Sequence, residues 1–191
     1  SQPLRSLGKV HPFCEVEIRD MDTHEPVPFK TEGEICFRVD GQMPGYWQNP
    51  DASAKAIVDG FVHTGDVGYL DENGYLYMCD RKDDMILSGG YNIWPTELEN
   101  VLATHPAVKE VVAFGVPSDR FGESPYAIVT VNDPSQVSEH ELIEMCAQEL
   151  GSYKKPIKVE IRTDTLPRTP VGKLSRKMIR EPYWEGMGRK K

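Results

Sequence analysis

The chain changes its hydrophobic rhythm once. Through the first 80 residues apolar and polar positions alternate, as in "FCEVEIRD" and "GEICFRVDG", with Gly, Pro and Asp between the runs. A period of two bounded by such residues predicts short strands. "NPDASAKAIV" predicts one short helix. "GFVHTGDVGYLDENGYLYMCD" predicts three strands separated by two turns, with Glu72-Asn73-Gly74 as a hairpin turn. Consecutive short strands of this kind suggest a small barrel or a curled sheet.

After residue 84 the period lengthens. In "PTELENVLATH", Leu98, Val101, Leu102 and His105 recur at helical spacing; Pro95 suits a first helical turn, and Glu97 and Glu99 lie near the positive end of the helix dipole. "AVKEVVAFGV" and "PYAIVTVN" predict strands. "SEHELIEMCAQEL" predicts a second helix that opens on a capping box, Ser138 and Glu141. "IKVEIR" predicts a strand and "KLSRKMIREPY" a terminal helix. The order β-α-β-β-α-β suggests a small α+β domain. The expected fold class is therefore α+β: a β-barrel-like subdomain over 1–80, a polar junction "RKDD" at 81–84, and an α+β domain over 85–191.

At 191 residues there is room for one or two domains with real cores. Composition is ordinary for a globular protein. No stretch approaches the roughly 18–20 apolar residues of a membrane helix, and "SQPLRSLGKV" lacks the apolar core of a signal peptide. The cysteines, at 14, 36, 79 and 146, are widely separated, which fits reduced thiols in a cytoplasmic compartment. With five scattered histidines they give no zinc pattern, so no metal ligand is expected in this chain. The net charge of −8 is unevenly spread: residues 1–80 and 81–152 each carry −8, and residues 153–191 carry +8. An acidic protein with a basic last fifth is not expected to coat nucleic acid. It could meet a compact polyanion there, or the segment could be a solvated basic helix.

Three stretches carry candidate chemistry. Asp66 follows a turn expected at Thr64-Gly65, and Arg81 stands fifteen residues on, across the hairpin. A carboxylate so placed can take two ribose hydroxyls, and an arginine can bond sugar and phosphate; spacing alone equally allows a turn-capping Asp and a surface Arg. Gly89-Gly90 directly after a strand permits either a plain tight turn or close approach of a ligand to the backbone. "LPRTPVGKLSR" offers Lys173 behind a glycine, but Pro167 and Leu174 stand where a Walker loop needs Gly and Ser or Thr, so that pattern fails.

The order of "GYWQNPDAS", "HTGDVGYLDENGYLYMCDRKDDMILSGGYNIWP", "HPAVKEVVAFGVPSD" and "LPRTPVGKLSR" resembles the adenylate-forming superfamily, specifically its acyl-CoA synthetases and ligases, over nearly the whole chain. The resemblance implies that Asp66 binds the ribose hydroxyls of an adenylate, that Arg81 supports ribose and phosphate, and that Met78 packs near the nucleotide. It implies that Asp83 is a hinge between a large N-terminal domain, of which 1–80 would be the last subdomain, and a mobile C-terminal one. Gly89 and Gly90 would line a pantetheine tunnel, Tyr153 and Lys155 would hold the CoA nucleotide, and Lys173 would be the lysine of the adenylation step.

The resemblance further implies ATP, Mg2+ and CoA, with a carboxylic acid, fatty or aryl, as substrate. The family's triphosphate loop and its magnesium glutamate have no match in this sequence and belong upstream of residue 1, with most of the acyl pocket. The chain is therefore expected to be a C-terminal piece that needs an N-terminal domain and is inactive alone. Two alternatives share the pattern: an adenylation module that loads a carrier protein, and a non-enzymatic nucleotide-binding or interaction module.

Overall fold

A computed structural model describes residues 6–187, and the polypeptide divides into two compact units, Ser1–Asp83 and Asp84–Lys191. The "GRKK" end lies outside the described residues. No helix among the described residues is long and apolar enough to cross a membrane.

The first unit is built on antiparallel strands: β1 (Gly8–Lys9), β2 (Cys14–Arg19), β3 (Gly33–Val39), β4 (Ile57–Val58), β5 (Phe61–Leu70) and β6 (Tyr75–Arg81), with one helix, α1 (Pro50–Ala56). The strand order is β1-β6-β5-β3-β2, and β4 also pairs with β5. The path is open, so the barrel-like expectation is corrected to a six-stranded sheet. Its edges are β1 and β2, and β1 has only two residues, too short a ladder to close the sheet. The helix starts as its sequence asks: Asn49 Oδ1 accepts the Ala52 N–H (3.1 Å) and Pro50 fills the first turn.

One further expectation fails in this unit. Thr64-Gly65 does not separate two strands. β5 runs through it, and the pairing with β3 slips between Glu34↔Val67 and Cys36↔His63. The extra residues are absorbed as an irregularity rather than a turn because the strand is paired on both sides, by β3 and β6. The true turn is at 71–74, where Asp71 Oδ1 accepts the N–H groups of Asn73 (2.9 Å) and Tyr75 (2.8 Å).

The second unit contains β7 (Ile86–Ser88), β8 (Tyr91–Ile93), α2 (Pro95–Leu102), β9 (Val108–Ser118), β10 (Gly122–Val131), α3 (Glu139–Leu150), β11 (Lys158–Arg162) and α4 (Arg176–Arg180). Its sheet runs β11-β10-β7-β8, with β9 also on β10; only β10–β11 is parallel. Strand period two sorts the side chains. Ala113, Ala127, Val129 and Val131 face one core with Leu98, Leu102, Leu142 and Cys146 of α2 and α3. Val112, Phe114, Val116, Tyr126 and Ile128 face a second core with Leu166 and Ile179. Both faces are covered, which is why nearly every residue of β10 is buried.

Ser138 caps α3 by accepting the Glu141 N–H (3.2 Å), but the Glu141 carboxylate meets His105 Nε2 (3.3 Å). The terminal helix is shorter than the pattern suggests: α4 ends at Arg180 and a 3-10 turn, Glu181–Trp184, follows around Pro182.

Candidate functional site

In the first unit Asp66 and Arg81 are directly opposite on β5 and β6. Arg81 Nε donates to Asp66 Oδ1 (3.1 Å), and the guanidinium is mostly exposed. The segment before Asp66 is held firmly. Thr64 Oγ1 donates to the Ile35 carbonyl (2.8 Å) and accepts the Asp66 N–H (3.0 Å), while the Gly65 N–H donates to Glu34 Oε1 (3.1 Å). Met78, on β6, is exposed. A carboxylate and a guanidinium fixed side by side at a sheet surface can between them accept from vicinal hydroxyls and donate to a phosphate oxygen. Asp83 lies exposed in the 3-10 turn Lys82–Asp84, at the last position of this unit.

In the second unit Gly89 and Gly90 form the two-residue turn of the β7–β8 hairpin, with φ of 58° and 87°. Both central residues at positive φ is the geometry that suits the strand twist and that glycine enters without steric cost. Beside the turn is a cavity of about 290 Å³ lined by Gly89, Tyr91, Phe121, Tyr153, Lys155 and Ile157, among others. Its walls are mainly apolar, and Tyr91 and Tyr153 pack with ring centroids 4.9 Å apart. Lys155 Nζ lies 3.6 Å from Glu144 Oε1, both half-exposed. A Cβ at Gly89 would come within 3.1 Å of the Phe121 ring; at Gly90 it would meet nothing within 4 Å, and Gly90 does not line the cavity. Of the four residues expected around pantetheine and nucleotide, three share this cavity and Gly90 stands outside it.

Lys173 sits at the base of a small hairpin. The Thr169 N–H donates to the Lys173 carbonyl (2.7 Å), the Lys173 N–H to Thr169 Oγ1 (3.2 Å), and the Gly172 N–H to the Thr169 carbonyl (2.8 Å). Pro170 presets φ on entering the turn, and Gly172 takes φ 82° to close it. The lysine side chain is exposed and makes no ion pair with any described residue.

The residues that flank this hairpin, unlike the lysine side chain, are heavily tied. Arg168 pairs with Glu110, and its Nη1 donates to the Gly172 carbonyl (2.9 Å). Arg176, three residues past the lysine, donates through Nη1 to Asp84 (2.7 Å) and through Nη2 to Glu99 (2.8 and 3.0 Å); Arg180 also reaches Asp84 (3.3 Å). This network was not foreseen from the sequence. Charge spacing along the chain cannot reveal it, because its members come from four separate segments.

The N-terminal residues 1–47 match the family model for AMP-binding enzymes, and residues 97–173 match that for the AMP-binding enzyme C-terminal domain. A long-chain-fatty-acid–CoA ligase of Escherichia coli O6:H1 is 44% identical over 176 residues, which cover 92% of this chain and 31% of the relative. The chain belongs to the AMP-binding, adenylate-forming enzymes. It matches their C-terminal portion and spans about a third of the length of these curated relatives. Another adenylate-forming relative, the fatty acid–[acyl-carrier-protein] ligase ScoC of Streptomyces coeruleorubidus, is 38% identical over 98% of this chain and 36% of its own. Among solved adenylate-forming structures, ATP-bound MatB from Rhodopseudomonas palustris superposes with a TM-score of 0.88 at 30% identity, over 96% of this chain and 37% of that one.

Proposed function

We propose that this chain is the C-terminal part of an AMP-forming acyl-CoA synthetase acting on a fatty or aryl carboxylic acid. In the first half-reaction a carboxylate oxygen attacks the α-phosphorus of ATP, the bond to the β-phosphate oxygen breaks, and pyrophosphate leaves. In the second the CoA thiolate attacks the acyl carbon and AMP leaves. Asp66 accepts hydrogen bonds from the ribose hydroxyls and Arg81 donates to ribose and α-phosphate, with Met78 against the nucleotide. Lys173 supplies a compact positive charge to the oxygen shared by carboxylate and phosphate as the bond forms. Asp83 is the point about which the second unit turns between half-reactions. Mg2+ neutralises the triphosphate when bound, and no residue of this chain is assigned to it.

The observation that carries this reading is the cavity beside β7 and β8. It gathers Gly89, Tyr153 and Lys155 from distant parts of the chain into one mainly apolar cavity with a single cation in its lining. That chemistry suits a thin pantetheine chain ending in a phosphorylated nucleotide. The likeness to a carrier-protein ligase supports a second reading, in which the same cavity receives pantetheine tethered to a protein.

The full-length protein should release pyrophosphate on addition of ATP and a fatty or aryl acid, and should form a thioester with free CoA faster than with a pantetheinylated carrier protein. Preference for the carrier protein would select the second reading, and absence of acid-dependent pyrophosphate release would reject both.

A further inference from the structure

The histidines are scattered in the sequence, yet two of them meet behind the Asp66 segment. His24 lies in the turn after β2, Glu34 on β3 and His63 on β5. One ligand atom from each lies within 4.8 Å of the other two. The side chains of Glu34 and His63 are each 6% exposed. His63 Nδ1 lies 3.2 Å from Glu34 Oε2 and 3.5 Å from Cys36 Sγ.

Glu34 Oε2 lies against His63 Nδ1 and Lys82 Nζ (3.2 Å), and Glu34 Oε1 accepts the Gly65 N–H. With Nδ1 on the carboxylate, Nε2 is the ring nitrogen left for another partner, and it is buried with no hydrogen-bond partner among the described residues. An orphaned polar atom of this kind costs free energy unless something meets it.

The His24 ring packs beside the His63 ring, with centroids 5.5 Å apart and planes at 75°. Two imidazoles bound to one tetrahedral zinc at N–Zn distances of about 2.0–2.1 Å place their centroids roughly 5 Å apart. A carboxylate on the far nitrogen of a ligating histidine, fixing its tautomer, is the usual support of such a ligand. Lys82 already occupies Glu34 Oε2, so the carboxylate acts as this support rather than as a ligand. His24 is held in place at φ 62°, a conformation few residues other than glycine adopt, by the Asp20 turn, its own N–H donating to the Asp20 carbonyl (3.0 Å).

We infer that His24 and His63 chelate one divalent transition-metal ion, of the zinc class, with Glu34 orienting His63 and water completing the coordination. Imidazole donors select Zn2+ and Co2+ over Mg2+, so this site is distinct from any that serves ATP. The ion would brace β5 just before Asp66; that consequence rests on the proposed function, whereas the site itself does not.

The test is metal binding to the chelator-treated protein, by calorimetry with ZnCl2 and by visible absorption with CoCl2. One Zn2+ per chain should bind, and Co2+ should give d–d bands. His24→Ala, a change at an exposed turn, should abolish the bands and weaken Zn2+ binding at least tenfold. Glu34→Gln should weaken it about 10–100-fold, and His140→Ala, at an exposed helical position, should leave it unchanged. No stoichiometric Zn2+ binding, or equal binding by wild type and His24→Ala, would overturn the inference. Because no readout involves catalysis, its failure is independent of whether the protein proves to be a ligase.

Discussion

Asp66 and Lys173 are treated in opposite ways by the fold. Asp66 stands within a paired strand, its backbone N–H bonded to Thr64 and its carboxylate to Arg81. Lys173 stands on a proline-stiffened hairpin, exposed, with no ion pair among the described residues. The first arrangement suits a group that stays with one ligand and must be oriented in advance. The second suits a charge that is delivered, because an ammonium already neutralised would have to give up its partner before acting. The contrast extends to the residues that flank the hairpin, where Arg168 and Arg176 are bound to carboxylates while the lysine between them is left open.

The comparison breaks first at the lysine. Lys173→Ala in the full-length protein should lower acyl-CoA formation by about 10²–10³, the usual cost of one preorganised charge in a transition state. A loss under threefold would return Lys173 to an ordinary surface position.

Next comes the anchor. Arg176→Ala leaves Glu99 without its arginine and Asp84 with Arg180 only, at sites less than a quarter exposed. It should destabilise the protein by on the order of 3 kcal/mol in urea unfolding, and Arg176→Lys should not restore it, since one ammonium cannot span two carboxylates. Full recovery with lysine would show that charge rather than the guanidinium fork matters.

Gly89→Ala sharpens the cavity. Positive φ and a 3.1 Å approach to Phe121 should cost about 1–2 kcal/mol of stability, and thioester formation should slow while pyrophosphate release does not. Equal slowing of both would detach the cavity from the thiol.

Thr64→Val removes the bonds to Ile35 and Asp66 and should cost about 1 kcal/mol, seen as a raised KM for ATP with little change in kcat. The smallest effect is pH-linked. A carboxyl held below its unfolded value of 4.5 stabilises the fold above that pH, and the contribution is lost as pH falls through the folded value. Glu34→Gln should therefore flatten the acid limb of stability measured by urea midpoints, and an unchanged limb would mean that Glu34 is not held ionised.

Strands and helices of the second unit were readable because its two periods, 2 and 3.6, belong to elements long enough to show them. The first unit misled where pairing overrode local chemistry: Thr64-Gly65 reads as a turn, but a strand paired on both sides carries it through. Of the two expected arrangements, a small barrel or a curled sheet, the strand order gives an open sheet; closure depends on whether two edges meet, which no local pattern encodes. Gly89, Tyr153 and Lys155 were picked out by resemblance to a family and share a cavity; Gly90, chosen with them, does not line it. The Arg176 network and the His24–His63 pair escaped notice because each joins residues far apart in sequence through side-chain contacts.

The central claim is that Lys173 serves one half-reaction only. It is tested most directly by single-turnover measurement of both steps in the same full-length Lys173→Ala protein: acid-dependent pyrophosphate release, and transfer to CoA from supplied acyl-adenylate. The account predicts that the first nearly stops while the second proceeds within about threefold of wild type. Intact pyrophosphate release, or equal damage to both steps, would contradict it.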